Sequence, residues 1–229
     1  DAPSQKELIV EERKLPLLEF ERTAAAYLRQ ERGLHGLYTY MAVTNGMAMG
    51  YAPLLIAFFR TAQGFTTAMY SFFSVAEFTG RTIGGVVRYR FSLPERKRFG
   101  FLFGVYQTYE LMDACLLWLP YPLMLVNRAL CGFLGIQSAT IRQAAVQRYI
   151  PDRLRARLNA YESLLCTAAG AVLSLAIGAL GEVLDYRLCM TICGLTTMLV
   201  CWLTVFLRRH QVQQVLSARP NAAQSGEAQ

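Results

Sequence analysis

Ionisable side chains lie inside two neighbouring apolar stretches in the middle of the sequence. Glu110 and Asp113 belong to the first stretch, Arg128 belongs to the second, and the turn sequence Leu119-Pro120-Tyr121-Pro122 separates them. Each stretch is long enough for a helix that crosses a bilayer, which needs about 20 residues. Charged groups inside a membrane are unfavourable and usually serve the passage of ions or substrates. The pattern therefore predicts a helical hairpin that carries a functional site.

The depth of each charge in the hairpin predicts which of them meet. A helix that starts near Phe99 and rises about 1.5 Å per residue places Asp113 roughly 21 Å along a hydrocarbon core of about 30 Å. Arg128, counted downwards from Pro122, reaches the same depth. We predict that Asp113 and Arg128 pair, because an isolated charge at the centre of a spanning helix is unfavourable by about 2.5–3.5 kcal/mol. The pair serves either as a structural brace of the hairpin or as part of a substrate or proton site.

Glu110 lies near the midplane, and the sequence offers it no partner, since its mirror position across the turn is Cys131. It shares one helical stripe with Tyr106 and Asp113. A carboxylate without a counter-charge suits reversible protonation, so we predict that Glu110 is a proton-coupling residue. The alternative is a neutral, hydrogen-bonded acid that faces a neighbouring helix. Other polar side chains that could line the same cavity, although helix packing also explains each of them, are Asn45, Tyr106, Gln107, Asn127 and Gln137.

Six apolar segments must position these groups. The chain of 229 residues is 54% hydrophobic and only 17% charged, whereas a soluble domain averages about 25% charged residues. The charges are clustered, and segments of membrane-spanning length remain at 37–59, 65–87, 99–119, 122–146, 158–180 and 188–207. We therefore predict an all-α membrane protein with a bundle of six transmembrane helices over residues 35–208.

Lysine and arginine residues predict the orientation of the bundle. They cluster before the first segment, after the second and fourth segments, and after the sixth, whereas the other three connections hold few of them. By the positive-inside rule both ends of the chain lie in the cytoplasm, and we predict a multi-pass protein of the plasma (inner) membrane. The same clustering argues against nucleic-acid binding as the reason for the net charge of +7.

The two ends of the chain are polar. Residues 1–34 predict a cytoplasmic linker with an amphipathic helix, and residues 209–229 predict a disordered cytoplasmic tail. The sequence begins at Asp1 rather than Met, so we expect a piece of a longer protein. The six cysteines lie in apolar segments without metal-ligand spacing, and the sequence has no nucleophile–base set or phosphate loop. We therefore expect no metal, no cofactor and no enzymatic activity.

Three local motifs resemble those of the major facilitator superfamily of transporters. The run Gly80–Arg90, continued by Pro94-Glu95-Arg96-Lys97-Arg98, is similar to the basic loop after the second helix of each half, although glycine stands at the usual Asp position. Tyr149–Ala160 resembles the loop between the tenth and eleventh helices of efflux-type members. Gly178–Glu182, with Asp185-Tyr186-Arg187, resembles their last outer turn.

This resemblance covers residues 35–208 and implies the C-terminal half of a twelve-helix fold. It implies a missing N-terminal six-helix half, joined through the polar lead segment, and a substrate site between the halves. It also implies alternating access for a small organic solute, and we expect proton-coupled export, since the chain has no ATP-binding motif. Charged residues near the cytoplasmic boundary would then form a gate, although snorkelling end charges also explain them. They are Glu77 and Arg81, which are spaced for an ion pair, together with Arg88, Arg142 and Glu162.

Two other functions fit the same pattern. Uptake of a metabolite would use the same helices and reverse the direction of transport. A non-transporting membrane scaffold or assembly factor would leave the intramembrane charges without a role in transport. In each case the lipid bilayer is the immediate partner of the chain.

Overall fold

The computed structural model describes residues 27–90, 94 and 97–217, and these residues are helical apart from short connections. A 3-10 turn, Leu116–Trp118, extends the third helix, and a π-helical segment, Trp202–Phe206, extends the sixth. The prediction of an all-helical chain is confirmed for the described residues, and each of the six predicted segments coincides with a helix. The helices are α1 (Arg32–Thr61), α2 (Thr67–Arg90), α3 (Arg98–Cys115), α4 (Tyr121–Tyr149), α5 (Asp152–Val183), α6 (Tyr186–Cys201) and α7 (Arg209–Ser217).

Among the described residues, four helical segments are long and apolar enough to cross a membrane: α1, α4, α5, and α6 with its π-helical extension. Helices α2 and α3 do not meet the same measure. Charged residues lower the apolarity of both: Glu77 and Arg81 lie in the middle of α2, and Glu110 and Asp113 lie in the C-terminal half of α3. Large apolar side chains are exposed along the helices, as expected for surfaces that contact lipid or another apolar partner. By length and composition, these four segments are therefore candidate membrane spans.

Three helix pairs make the most extensive contacts: α1 with α5, α2 with α4, and α3 with α6. Glycine permits the close approach in each pair. A Cβ atom added at Gly50 would lie 3.1 Å from the Cα atom of Ser174, and one added at Gly80 would overlap the carbonyl group of Ala129. On α6, a Cβ atom at Gly194 would meet the backbone of α3. The pairing brings α1, α3 and α4 around one central space.

Residues 209–217 form α7, although the sequence predicted a disordered tail from residue 209. The side chains of Val212, Val215 and Leu216 are buried, and α7 packs against the ends of α1, α3 and α4. Apolar residues three and four positions apart make one side of a short helix apolar, even in a stretch that is polar by composition. The rest of the predicted tail, and the predicted linker up to residue 26, lie outside the described residues.

A matched pair of glycine substitutions on α2 tests the close packing of α2 and α4. Gly80→Ala should lower the free energy of unfolding by about 1–3 kcal/mol, because its methyl group has to displace the backbone of α4. Gly85→Ala meets no atom within 4 Å and should be neutral or stabilising by about 0.5–1 kcal/mol. Chemical unfolding in detergent measures both, and equal stability of the two variants would contradict the close contact.

Candidate functional site

A cavity of about 300 Å³ lies among α1, α2, α3 and α4. Its volume is that of a site for a small organic molecule. Both polar and apolar side chains line it, so it can contact both the polar and the apolar groups of such a molecule. The predicted site and gate residues in its lining are Asn45, Arg81, Tyr106, Glu110, Asp113 and Arg142. We call it the central cavity.

The predicted pair of Asp113 and Arg128 is present as a buried ion pair between α3 and α4. Only 3% of Asp113 and 5% of Arg128 is exposed. The hydroxyl group of Tyr51, on α1, donates a hydrogen bond of 3.0 Å to the second carboxylate oxygen of Asp113. Asp113 lines the central cavity and Arg128 does not, so the guanidinium approaches the carboxylate from outside the cavity wall.

Glu110 is also buried, with 4% of the residue exposed, and it lines the central cavity. The sequence offered it no partner at its mirror position in the hairpin, and the structure supplies a hydrogen-bond donor from a neighbouring helix. The hydroxyl group of Tyr40 donates a hydrogen bond of 3.1 Å to one carboxylate oxygen of Glu110. Because Tyr40 belongs to α1, comparison of mirror positions within the hairpin could not find it. Tyrosine is an uncharged donor here, so Glu110 has a hydrogen-bond partner that carries no counter-charge.

Arg142 lies between the central cavity and a second cavity and contacts Tyr106, which lines the central cavity alone. Arg142 donates a hydrogen bond of 3.1 Å to the hydroxyl oxygen of Tyr106, and the Tyr106 ring packs 4.6 Å from that of Tyr40 between ring centroids. The second cavity, of about 370 Å³, is lined by Arg142 and Glu162. Arg142 and Met41 line both cavities, so these two side chains separate them.

The residues of the predicted cytoplasmic gate are divided between the two cavities. Arg81 and Glu77 form the predicted ion pair, with a distance of 2.5 Å between guanidinium nitrogen and carboxylate oxygen, and Arg81 lines the central cavity. Arg142 and Glu162 share the second cavity. Arg88 lies in the last turn of α2 and is in the lining of neither.

Three predicted site residues hold helices together instead of lining the central cavity. The side-chain amide of Asn127 donates to a backbone carbonyl of α3 at 2.9 Å. Gln137 donates to the carbonyl oxygen of Gly84 at 2.8 Å. Gln107 accepts a hydrogen bond of 3.1 Å from the indole nitrogen of Trp202. Helix packing accounts for each of these contacts.

Three tyrosines of the central cavity, Tyr40, Tyr51 and Tyr109, are the residues that sequence reasoning missed, whereas Tyr106 was predicted. Tyr40 and Tyr51 each donate to a buried carboxylate, and Tyr109 lines the cavity between them. Tyr40 and Tyr51 are about three helical turns apart, which places both on one face of α1. That spacing was the available signal. Among the described residues no group of His, Cys, Asp and Glu could hold a metal ion, and all six cysteines are free thiols.

Removal of one member of the buried ion pair should destabilise the bundle more than removal of both. Asp113→Ala leaves the Arg128 guanidinium buried without its counter-charge, which lowers the free energy of unfolding by about 3–5 kcal/mol. The double variant Asp113→Leu with Arg128→Met buries no charge and should recover most of that loss. Unfolding in detergent measures both variants. A double variant that is less stable than Asp113→Ala would contradict this reading of the pair.

Comparisons with protein-family models, with curated proteins and with solved structures find no match to this chain. The function therefore has to be inferred from the geometry of the central cavity and from the arrangement of the helices. The resemblance to major facilitator transporters stays a prediction from local motifs.

Proposed function

We propose that the chain is one six-helix half of a secondary-active transporter of the major facilitator type. It moves a small organic solute outwards across the plasma membrane by alternating access, coupled to protons, with both ends of the chain in the cytoplasm. The observation that carries the proposal is the central cavity, in which buried Glu110 lies beside the ion pair of Asp113 and Arg128. Ionisable groups buried around a cavity at membrane depth are typical of substrate and proton pathways. A scaffold does not require them.

The burial or pairing of their charged side chains supports the proposal that α2 and α3 also cross the membrane. In α3 the charges that lower its apolarity face inwards, since Glu110 and Asp113 are both almost fully buried. In α2 the charge of Arg81 is balanced by Glu77 on the same helix. Neither helix therefore has to present an uncompensated charge to lipid, and both can cross the membrane with the four more apolar helices.

The pairing of helices supports an inverted repeat of three helices. The six helices can be divided into two units, α1–α3 and α4–α6, in which α1 corresponds to α4, α2 to α5, and α3 to α6. Under this correspondence the α1–α5 pair is equivalent to the α4–α2 pair. The α3–α6 pair is equivalent to itself, because its two helices correspond to each other. Two units with an odd number of helices cross the membrane in opposite senses, and inverted three-helix units build each half of a major facilitator transporter. The central cavity has the first helix of each unit, α1 and α4, in its walls.

Arg142 gives the central cavity a gate on the proposed cytoplasmic side. Its hydrogen bond to Tyr106 lies where the two cavities meet. Glu162 lines the second cavity and offers the guanidinium an alternative, charged acceptor. A shift of Arg142 from Tyr106 towards Glu162 would join the two cavities and open a path to the cytoplasm.

Substitution of Glu110 tests proton coupling. Proteoliposomes that enclose a pH-sensitive dye are offered a panel of small organic solutes, and a transported solute should change the internal pH. Glu110→Gln keeps a hydrogen-bond acceptor for Tyr40 but cannot exchange a proton, so the solute-dependent pH change should disappear. Exchange of labelled for unlabelled solute should persist, because exchange needs no net proton movement.

The matched control is Glu182→Gln, which makes the same chemical change at an exposed residue of α5 outside the central cavity. It should retain both solute exchange and the pH change. A Glu110→Gln variant that still moves protons with solute would contradict the role of Glu110. Loss of both activities in Glu110→Gln would place the carboxylate in solute binding instead of coupling.

A further inference from the structure

A third cavity, strongly basic, lies at the end of the bundle where α1 begins and α6 ends. It encloses about 460 Å³, and none of the described carboxylates lines it. Arginine stays protonated at physiological pH, so three positive charges surround one small space. Its ionisable lining residues are Arg29, Arg32, Arg208, His35 and His210. We call it the basic cavity.

Within the part of the chain that the structure describes, no ion pair neutralises the arginines of the basic cavity. Glu31 accepts a hydrogen bond from Tyr149 and lines a neighbouring cavity, which shares Arg32 and Gln211 with the basic cavity. The guanidinium of Arg208 donates to the backbone carbonyl oxygen of Arg32 at 3.3 Å. That contact joins the two walls of the cavity and leaves its charge unchanged. An anion from outside the chain would complement the site, because guanidinium groups bind phosphate and carboxylate oxygens strongly.

An exposed apolar stripe runs from the basic cavity along the whole of α6. Spacings of three and four residues place its side chains on one face of the helix. Leu207, which lines the basic cavity, is 71% exposed and is the last member of the stripe. An anion that carries acyl chains could therefore occupy the cavity and the stripe together. The stripe consists of Leu188, Ile192, Leu195, Leu199, Leu203 and Leu207.

We propose that the basic cavity binds the phosphate headgroup of an anionic phospholipid whose acyl chains lie along the exposed stripe of α6. The arginines supply charge-assisted hydrogen bonds to the phosphate oxygens, and the stripe supplies the apolar contact that free phosphate would not use. Basic pockets at the cytoplasmic ends of membrane helices are recognition sites for such headgroups. This proposal does not depend on transport.

Native mass spectrometry tests the proposal on the protein purified in the assembly that it forms in its membrane. The protein is titrated with phosphatidylglycerol and with phosphatidylcholine of identical acyl chains, and we expect selective retention of phosphatidylglycerol. Arg29→Gln with Arg32→Gln should weaken that affinity about 30-fold, because it removes two charges from the site. Both side chains are exposed, so the fold should remain intact. Arg29→Lys with Arg32→Lys should retain most of the affinity.

The matched control is Arg90→Gln with Arg153→Gln, two exposed arginines at the same end of the bundle outside the basic cavity. Its affinity should equal that of the unchanged protein. Leu207→Ser provides a second variant that weakens binding without any change of charge. Equal retention of the two lipids, or an equal loss in the control, would overturn the proposal. Displacement of phosphatidylglycerol by inorganic phosphate would assign the cavity to free phosphate and overturn the lipid assignment.

Discussion

The buried ion pair of Asp113 and Arg128 is the contact on which the centre of the bundle depends. Both residues are almost fully buried, so each charge is tolerated because the other is within contact distance. The pair therefore holds α3 and α4 in one register, with Asp113 turned to the central cavity. Tyr51 completes the arrangement from α1, since its hydroxyl donates to the remaining oxygen of the carboxylate. One carboxylate thus joins three helices.

The size of the side chains between helices determines where the helices pack closely and where a cavity remains. At Gly50 and Gly80 the backbones of paired helices approach so closely that a methyl group would not fit. Between α1, α3 and α4, the large side chains of tyrosines such as Tyr40 and Tyr109 line the central cavity. Their rings keep the helices apart, and the hydroxyl groups of Tyr40 and Tyr51 donate to the buried carboxylates. The cavity follows from this alternation of close and wide contacts.

The sequence alone predicted the helices and the ion pair, but not the tyrosine partners. The length of each apolar segment predicts a helix. The short turn after Leu119 makes α3 and α4 antiparallel neighbours, so counting residues from the turn predicts that Asp113 and Arg128 lie at the same depth. No such turn connects α1 to α3. The hydrogen bond of Tyr40 to Glu110 joins residues that are 70 positions apart, and it depends on how helices pack in three dimensions. Helix α7 was missed for a related reason, because only tertiary contacts bury its apolar side.

The two carboxylates of the central cavity differ in what their partners permit. Arg128 is a permanent cation, so loss of charge on Asp113 would leave a buried guanidinium uncompensated. The contact with Arg128 therefore favours the ionised form of Asp113. The hydroxyl group of Tyr40 can donate a hydrogen bond to an ionised Glu110 and accept one from a protonated Glu110. Glu110 can therefore bind or release a proton and keep its hydrogen bond to Tyr40. The ion pair suits a fixed brace, and the tyrosine–glutamate contact suits a reversible switch beside it.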